Sequence, residues 1–294
     1  MTRVAVIGLG TMGLPIARHL VAAGHDVVGC DVDPARAEEV GAERADSAGA
    51  AAAEAEAVLL SLPSAAAVED VVIGPGGVRA NARPATLLVD MSTSPPALAR
   101  RLAADCPELE VLDAPVSGGP RGAIDATLTI MVGGTDAGFA RGLPLFEALG
   151  RLIVLVGGHG AGQAAKLCNN LIAGATMAAV AESSAIAVRE GIDPAMLYEL
   201  LTASTGDSRV LRTRFPLAGV EAAHPSSNGF ESLFALDLIA KDLGLARELA
   251  EEHGVDVPVA EAALGAYRDA QRDGLGALDY SAVYLRGAGA EPSD

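Results

Sequence analysis

The chain has 294 residues, enough for two domains that each bury a core, and half of them are hydrophobic, which excludes a mainly disordered chain. A formal net charge of −17 argues against nucleic acid and anionic membrane surfaces as partners, because both reward positive charge. The same acidity repels small anions at long range, so any carboxylate-binding site must supply its own local positive charge.

The three cysteines, Cys30, Cys106 and Cys168, form neither a CxxC pair nor a disulfide framework. Cys168 reads as a small core residue. The opening MTRVAVIGLG is soon broken by glycines, and no uninterrupted apolar run reaches membrane-spanning length. The five histidines show no ligand spacing, so no metal is expected. A reduced, soluble, cytoplasmic protein is the expectation.

In chain order, RVAVIG, DVVGCD, AVLLSLP, ATLLVDM, LEVLDAP, TLTIMVGG and LIVLVGG are short aliphatic or β-branched runs ending in turn residues, as strands do. Segments with helical spacing, such as MGLPIARHLVAAG and PPALARRLAADC, lie between several of them. This alternation predicts βαβ units and an α/β fold, with an N-terminal Rossmann-type, mostly parallel, doubly wound sheet. The alanine-rich AGAAAAEAEA near residue 50 reads as a plain helix.

After Gly162 the strand signal stops, and a helical pattern runs to about residue 272, broken at GIDP, STGD, AHPSSNG and HGVDVP. The expected organisation is a dinucleotide-binding domain over residues 1–160, an all-helical substrate and dimerisation domain over 161–285, and a loose tail over 286–294. The long helix that opens the second domain has an alanine- and serine-rich face suited to close packing, within the domain or across a homodimer or homotetramer.

GLGTMG, residues Gly8, Leu9, Gly10, Thr11, Met12 and Gly13, fits GxGxxG directly after a strand and at the start of a helix. Gly8 permits the tight turn, Gly10 lets backbone approach a pyrophosphate, and Gly13 lets helix and strand pack closely. The helix N-terminus offers unpaired N–H groups to the phosphates. Asp31 closes the second strand, placed to bind the adenosine ribose and to repel a 2′-phosphate, so NAD is favoured. Arg36 could welcome that phosphate, which keeps NADP possible.

Among 21 basic side chains only Lys166 and Lys241 are lysines. Arginine cannot give up its proton in a protein, whereas lysine can. Lys166 falls near the start of a helix, where the dipole should depress its pKa, and a bound nicotinamide cation would push the same way. It could then take a hydroxyl proton as hydride leaves the same carbon. Asn169 and Asn170 follow at i+3 and i+4 on its helix face. Ser117, Gly118 and Gly119 could present consecutive N–H groups and a hydroxyl to an anion. Lys241 and Asp242 could be a surface ion pair, but the apolar helix around them favours a site role.

Four further segments follow in order: DMSTSPP at 90–96, DAPVSGGPRGA at 113–123, GAGQAAKLCNN at 160–170 and FALDLIAKDLGLA at 234–246. Together with GLGTMGLPIARHLVAAGHDV they resemble the β-hydroxyacid dehydrogenase family, from about residue 3 to residue 285. The resemblance implies that Lys166 is the catalytic acid/base and that Asn170 orients substrate. It implies that Ser117, Gly118 and Gly119 bind a substrate carboxylate, and that Lys241 lies beside cofactor and substrate. It extends the cofactor contacts to Leu62, Pro63, Thr93 and Phe234.

The activity so implied is NAD-dependent oxidation of a short 3-hydroxy carboxylic acid, 3-hydroxyisobutyrate-like, to its semialdehyde. The runner-up is an NADPH-dependent reductase of a small semialdehyde or glyoxylate. A non-catalytic dinucleotide-binding module is the reading from another class, and Lys166 counts against it. The branch closest to this chain usually carries a tryptophan shortly after STG, whereas here the run is STGDSRVL, so the pocket is expected to differ.

Overall fold

A computed structural model describes residues 1–288, which divide into two compact units that part after Lys166. The first unit holds nine strands: β1 (Arg3–Ile7), β2 (Asp26–Cys30), β3 (Glu43–Arg44), β4 (Ala57–Leu60), β5 (Leu87–Asp90), β6 (Glu110–Asp113), β7 (Val116–Ser117), β8 (Leu128–Gly133) and β9 (Gly150–Gly157). Between them run α1 (Gly13–Ala22), α2 (Ala35–Val40), α3 (Ala48–Ala52), α4 (Ala65–Ile73), α5 (Val78–Asn81), α6 (Pro96–Asp105), α7 (Gly119–Ile124) and α8 (Asp136–Glu147).

Strands lie in the order β3-β2-β1-β4-β5-β6, all parallel, which is the doubly wound dinucleotide-binding order. Alternate residues of each strand enter opposite cores. Val4, Val6, Leu59 and Val89 pack on one face, and Ala5, Ile7, Val58 and Leu88 on the other. Burial on both faces is why these strands read as continuous apolar runs rather than as alternation.

β8 departs from the parallel set. It runs antiparallel to β6 and β7, and β9 runs parallel to β8 at the sheet's edge. The six-residue α7 spans only about 9 Å, too little to return the chain along a strand for a parallel re-entry. The alanine-rich segment is helical only over Ala48–Ala52, capped by Ser47 Oγ, before Ala57 enters β4.

α9 (Ala161–Arg189) starts in the first unit and continues into the second. The second unit adds α10 (Pro194–Thr202), α11 (Arg209–Arg214), α12 (Leu236–Glu252), α13 (Pro258–Arg272) and α14 (Val283–Ala288). Its core gathers Met177, Phe215, Leu236, Ile239, Leu243, Leu264 and Tyr267. Tyr267 is fully buried and donates its hydroxyl proton to the Gly174 carbonyl at 2.9 Å, tying α13 to α9.

α9 is, by length and composition alone, long and apolar enough to cross a membrane, although charged and amide residues interrupt its sequence, so the expectation of no uninterrupted apolar run is unchanged. Two expectations change. Cys168 is exposed on α9, not a core residue, because the helix turns it away from the buried face. Arg286 lies in α14, paired with Asp269 and Asp273, so the tail expected from residue 286 falls, from residue 289 onward, outside the described residues.

Candidate active site

The glycine loop leaves the C-terminal end of β1, where the strand order reverses between β1 and β4. Ligands bind at such a switch point in open α/β sheets. Gly8 has φ +89°, and a Cβ there would strike the Ser61 carbonyl of the neighbouring loop. A Cβ on Gly13 would strike the backbone of Gly8, so strand and helix need glycine to approach. Gly10 differs, since a Cβ there would meet nothing within 4 Å. The protein's own packing gives no reason for glycine at position 10, whereas a pyrophosphate laid on the backbone does. These residues fit a dinucleotide.

Leu9, Thr11 and Met12 complete the loop, with Leu9 buried and its N–H donating to Asp31 Oδ2 at 2.6 Å. Asp31 Oδ1 accepts the Asp33 N–H at 2.9 Å. The acid at the end of β2 is thus aimed by two backbone donors, with lone pairs left for ribose hydroxyls. Arg36 stands 3.6 Å from Asp33, a half-exposed pair.

Leu62 and Pro63 follow β4, and Thr93 follows β5, so both segments stand at the same carboxyl edge of the sheet as the glycine loop. A buried network joins them. The Leu62 N–H donates to Ser92 Oγ at 2.9 Å. Asp90, at the end of β5, accepts the Ser92 N–H at 2.9 Å and the Ser94 hydroxyl at 3.2 Å. Burial pushes the Asp90 carboxyl up to about 6; bonds from Ser92 and Ser94 oppose the rise, and the charge of Asp113 adds to it.

Asp113, at the end of β6, is also buried, and burial likewise raises its pKa against bonds from Gly160 and Gln163. Its carboxylate accepts the Gly160 N–H at 2.7 Å and the Gln163 N–H at 2.9 Å. These are N–H groups that the start of α9 would otherwise leave unpaired. A strand end therefore caps the helix that carries Lys166.

Lys166 is 7% exposed and Asn170 5%, one turn apart on one face of α9, with Gln163 fully buried on that face a turn earlier. Ala161 opens the helix, so Lys166 lies in its second turn. The helix dipole acts mainly within the first turn, so that argument for a tuned lysine loses most of its force. What the fold offers instead is removal from water.

In the second unit, Asn170 Nδ2 donates to Asp242 Oδ2 at 2.6 Å, and Asn170 Oδ1 accepts from the exposed Asn169 at 3.0 Å. Lys241 Nζ lies 3.3 Å from Asp242 Oδ1, with Asp242 buried and Lys241 about one-third exposed. The ion pair that was weighed against a site role exists, but it is half-buried and its acid also holds Asn170. Phe234 packs edge-on against Tyr280 at 6.0 Å, and its N–H donates to the buried Asp279. In the first unit, Ser117 ends β7, and Gly118 and Gly119 have φ +137° and +62°, a two-glycine bend into α7.

Residue reading alone had passed over Asp90, Asp113 and Gln163, and had met Asp242 only as the neighbour of Lys241. A signal was present for each, since all four stand inside the quoted motifs. An acid ending an apolar strand, as in LLVD and EVLD, is the pattern of a buried carboxylate with a fixed partner.

Comparison with known proteins gives the same frame. The model of the NAD binding domain of 6-phosphogluconate dehydrogenase matches residues 3–158, and that of the NAD-binding domain of NADP-dependent 3-hydroxyisobutyrate dehydrogenase matches residues 160–286. A 3-hydroxyisobutyrate dehydrogenase of Pseudomonas aeruginosa is 42% identical, over 96% of this chain and 97% of its own length. An NAD-dependent L-serine dehydrogenase of the same organism is 39% identical over the same shares. The solved structure of Mycobacterium tuberculosis 3-hydroxyisobutyrate dehydrogenase with L-serine superposes with a TM-score of 0.90 at 37% identity, over 97% of this chain and 99% of that one.

The chain belongs to the β-hydroxyacid dehydrogenase family. It is an NAD(P)-dependent oxidoreductase acting on CH–OH groups, and its cofactor is NAD or NADP. The reductase alternative is not favoured by these relatives, nor is membrane insertion indicated for α9.

Proposed function

We propose that the chain oxidises a short 3-hydroxy carboxylic acid to its semialdehyde with NAD⁺, Lys166 serving as general base. The observation that carries this reading is a buried lysine, in a chain with only one other lysine, on one helix face with a buried asparagine. NAD⁺, when bound, supplies the hydride acceptor. Lys166 Nζ takes the hydroxyl proton as the carbinol carbon becomes an aldehyde, and returns it in the reverse direction. Asn170, its amide held by Asp242 and Asn169, orients the hydroxyl. Ser117, Gly118 and Gly119 receive the carboxylate, with Lys241 as its nearby positive charge. Leu62, Pro63, Thr93 and Phe234 join Gly8–Gly13 in holding the cofactor.

The substrate frame is HOCH₂–CHX–COO⁻. 3-Hydroxyisobutyrate, with X a methyl, and L-serine, with X an ammonium, share it, and both names occur among the relatives. The 3-hydroxyisobutyrate reading is preferred. Asp31 favours NAD over NADP by repelling a 2′-phosphate. Residues 1–160 serve as the cofactor domain, and 161–285 as the substrate and subunit-contact domain.

Ile172, Ile186 and Val188 of α9, with Met196 and Leu200 of α10, are exposed apolar side chains in the second unit. They support a homodimer or homotetramer. A panel of 3-hydroxyisobutyrate, L-serine and 3-hydroxypropionate, assayed with NAD⁺ and NADP⁺ by nicotinamide absorbance, tests the function. No turnover of any member with either cofactor would falsify it.

A further inference from the structure

We infer that Gln163 is a positioning residue, whose amide holds the backbone on both sides of Thr93 and so sets Lys166 against the cofactor loop after β5. The inference rests on the roles proposed above for Lys166 and Thr93. Gln163 is fully buried. Its Oε1 accepts the Ser94 N–H at 3.0 Å, and its Nε2 donates to the Ser92 carbonyl at 2.8 Å. The side chain thus makes two bonds of opposite sense, two residues apart, with Thr93 between them. The backbone N–H of the same residue is fixed by Asp113, as is that of Gly160. One residue therefore ties α9 to β6 through its main chain and to the loop after β5 through its side chain. Lys166 follows three residues later on the same face.

The surroundings leave little slack. A Cβ on Gly133 would fall 2.6 Å from Asp113 Oδ1, and one on Gly162 would fall 2.9 Å from Asp113 Oδ2. The glycines let the capping carboxylate sit directly against β8 and α9. Volume alone does not explain glutamine here. Methionine would fill the space but leave the buried Ser94 N–H and Ser92 carbonyl unmatched. Glutamate would keep the acceptor arm, but its second oxygen would face the Ser92 carbonyl and need a proton to bond it. Displacements of about 1 Å in a hydride-transfer geometry can cost about 100-fold in rate. A strut of this kind should show itself in kcat.

Gln163→Glu and Gln163→Met in the full-length chain test the inference, with NADH binding followed by nicotinamide fluorescence and folding by the melting transition. Burial beside Asp90 of β5 and Asp113 of β6 should raise the introduced carboxyl's pKa toward neutrality, while His159 and Lys166 oppose that rise. At pH 8, Gln163→Glu should bind NADH within about threefold of wild type yet lose about tenfold or more in kcat. Relative to wild type at each pH, kcat should recover toward pH 6, where the protonated carboxyl donates to Ser92. Gln163→Met should lose kcat by a similar factor at every pH, again with NADH binding kept. If Gln163→Glu does not fold, Gln163→Met decides alone. Wild-type kcat in a folded variant, or a Gln163→Glu deficit that pH does not relieve, overturns the inference. Undiminished turnover in Lys166→Arg would instead overturn the acid/base reading, whatever the Gln163 variants do.

Discussion

Lys166 and Asp31 are single residues whose chemistry can be tested by one substitution each. Lys166→Arg keeps the charge but removes the ability to release a proton, so kcat should fall by at least about 100-fold with NADH binding intact. Asp31 holds the Leu9 and Asp33 N–H groups in addition to the ribose role proposed for it. Asp31→Ala should therefore weaken NAD⁺ use outright and narrow the NAD⁺/NADP⁺ ratio of kcat/KM by about tenfold, or about 1.4 kcal/mol. A wild-type preference for NADP⁺ would overturn the assignment and turn attention to Arg36. Asp90 makes a stability prediction. The folded chain keeps its proton to about pH 6, whereas its ordinary value is 3.8. Between those limits the folded state binds more protons, so stability falls as pH rises through the window and stays lower above it. The loss is about 3 kcal/mol at most. Asp90→Asn can still accept from Ser92 and meet Ser94. Urea unfolding should show the variant more stable than wild type by about 1–3 kcal/mol at pH 8 and little changed at pH 4. A variant less stable at pH 8 contradicts this sign.

At the scale of elements, the site depends on how strand ends and helices are tied together. Asp113 at the end of β6 caps α9, and Asp242 on the buried face of α12 holds Asn170 of the same unit. Asp242→Ala should leave the Asn170 amide held by Asn169 alone and remove the carboxylate beside Lys241. We expect kcat/KM for the hydroxy acid to fall by about tenfold or more, with NADH binding unchanged. Asn169→Ala, on the exposed side, should change kcat/KM far less. Equal losses in the two variants would show that the amide pair, and not Asp242, orients Asn170. The seven longer strands were legible in sequence because each is an apolar run bounded by turn residues. β3 and β7, two residues each, carry no periodicity to read, and the antiparallel direction of β8 follows from the short α7 rather than from any composition.

For the whole molecule, the net charge of −17 sets a field against an anionic substrate that salt should relieve. Raising ionic strength from about 10 to 150 mM should increase kcat/KM for the hydroxy acid, and leave that for its methyl ester nearly unchanged. A fall with salt for the acid would mean that the local field of Lys241 and its neighbours outweighs the global one. The exposed apolar side chains of α9 predict that Ile172→Glu with Ile186→Glu shifts the sedimentation coefficient from oligomer to monomer. An unchanged oligomer would place the subunit contact elsewhere.

The sequence by itself determined the fold class and the dinucleotide loop, and it singled out Lys166 as the candidate for the reactive lysine. Each is a local property: apolar runs of strand length, glycines at fixed spacing, and a residue type that its neighbours avoid. It also carried the family, because five ordered motifs survive as strings. Only the tertiary structure decided which acids are buried and what they hold. Asp90, Asp113, Asp242 and Asp279 are four among 38 acidic residues, and each is withdrawn from water and committed to named donors. Burial and partner choice depend on chain segments far apart in sequence: Asp113 meets Gln163 across 50 positions, and Asn170 meets Asp242 across 72. No local pattern records a partner at that distance, because the hydrogen bond exists only once the fold has brought both ends together.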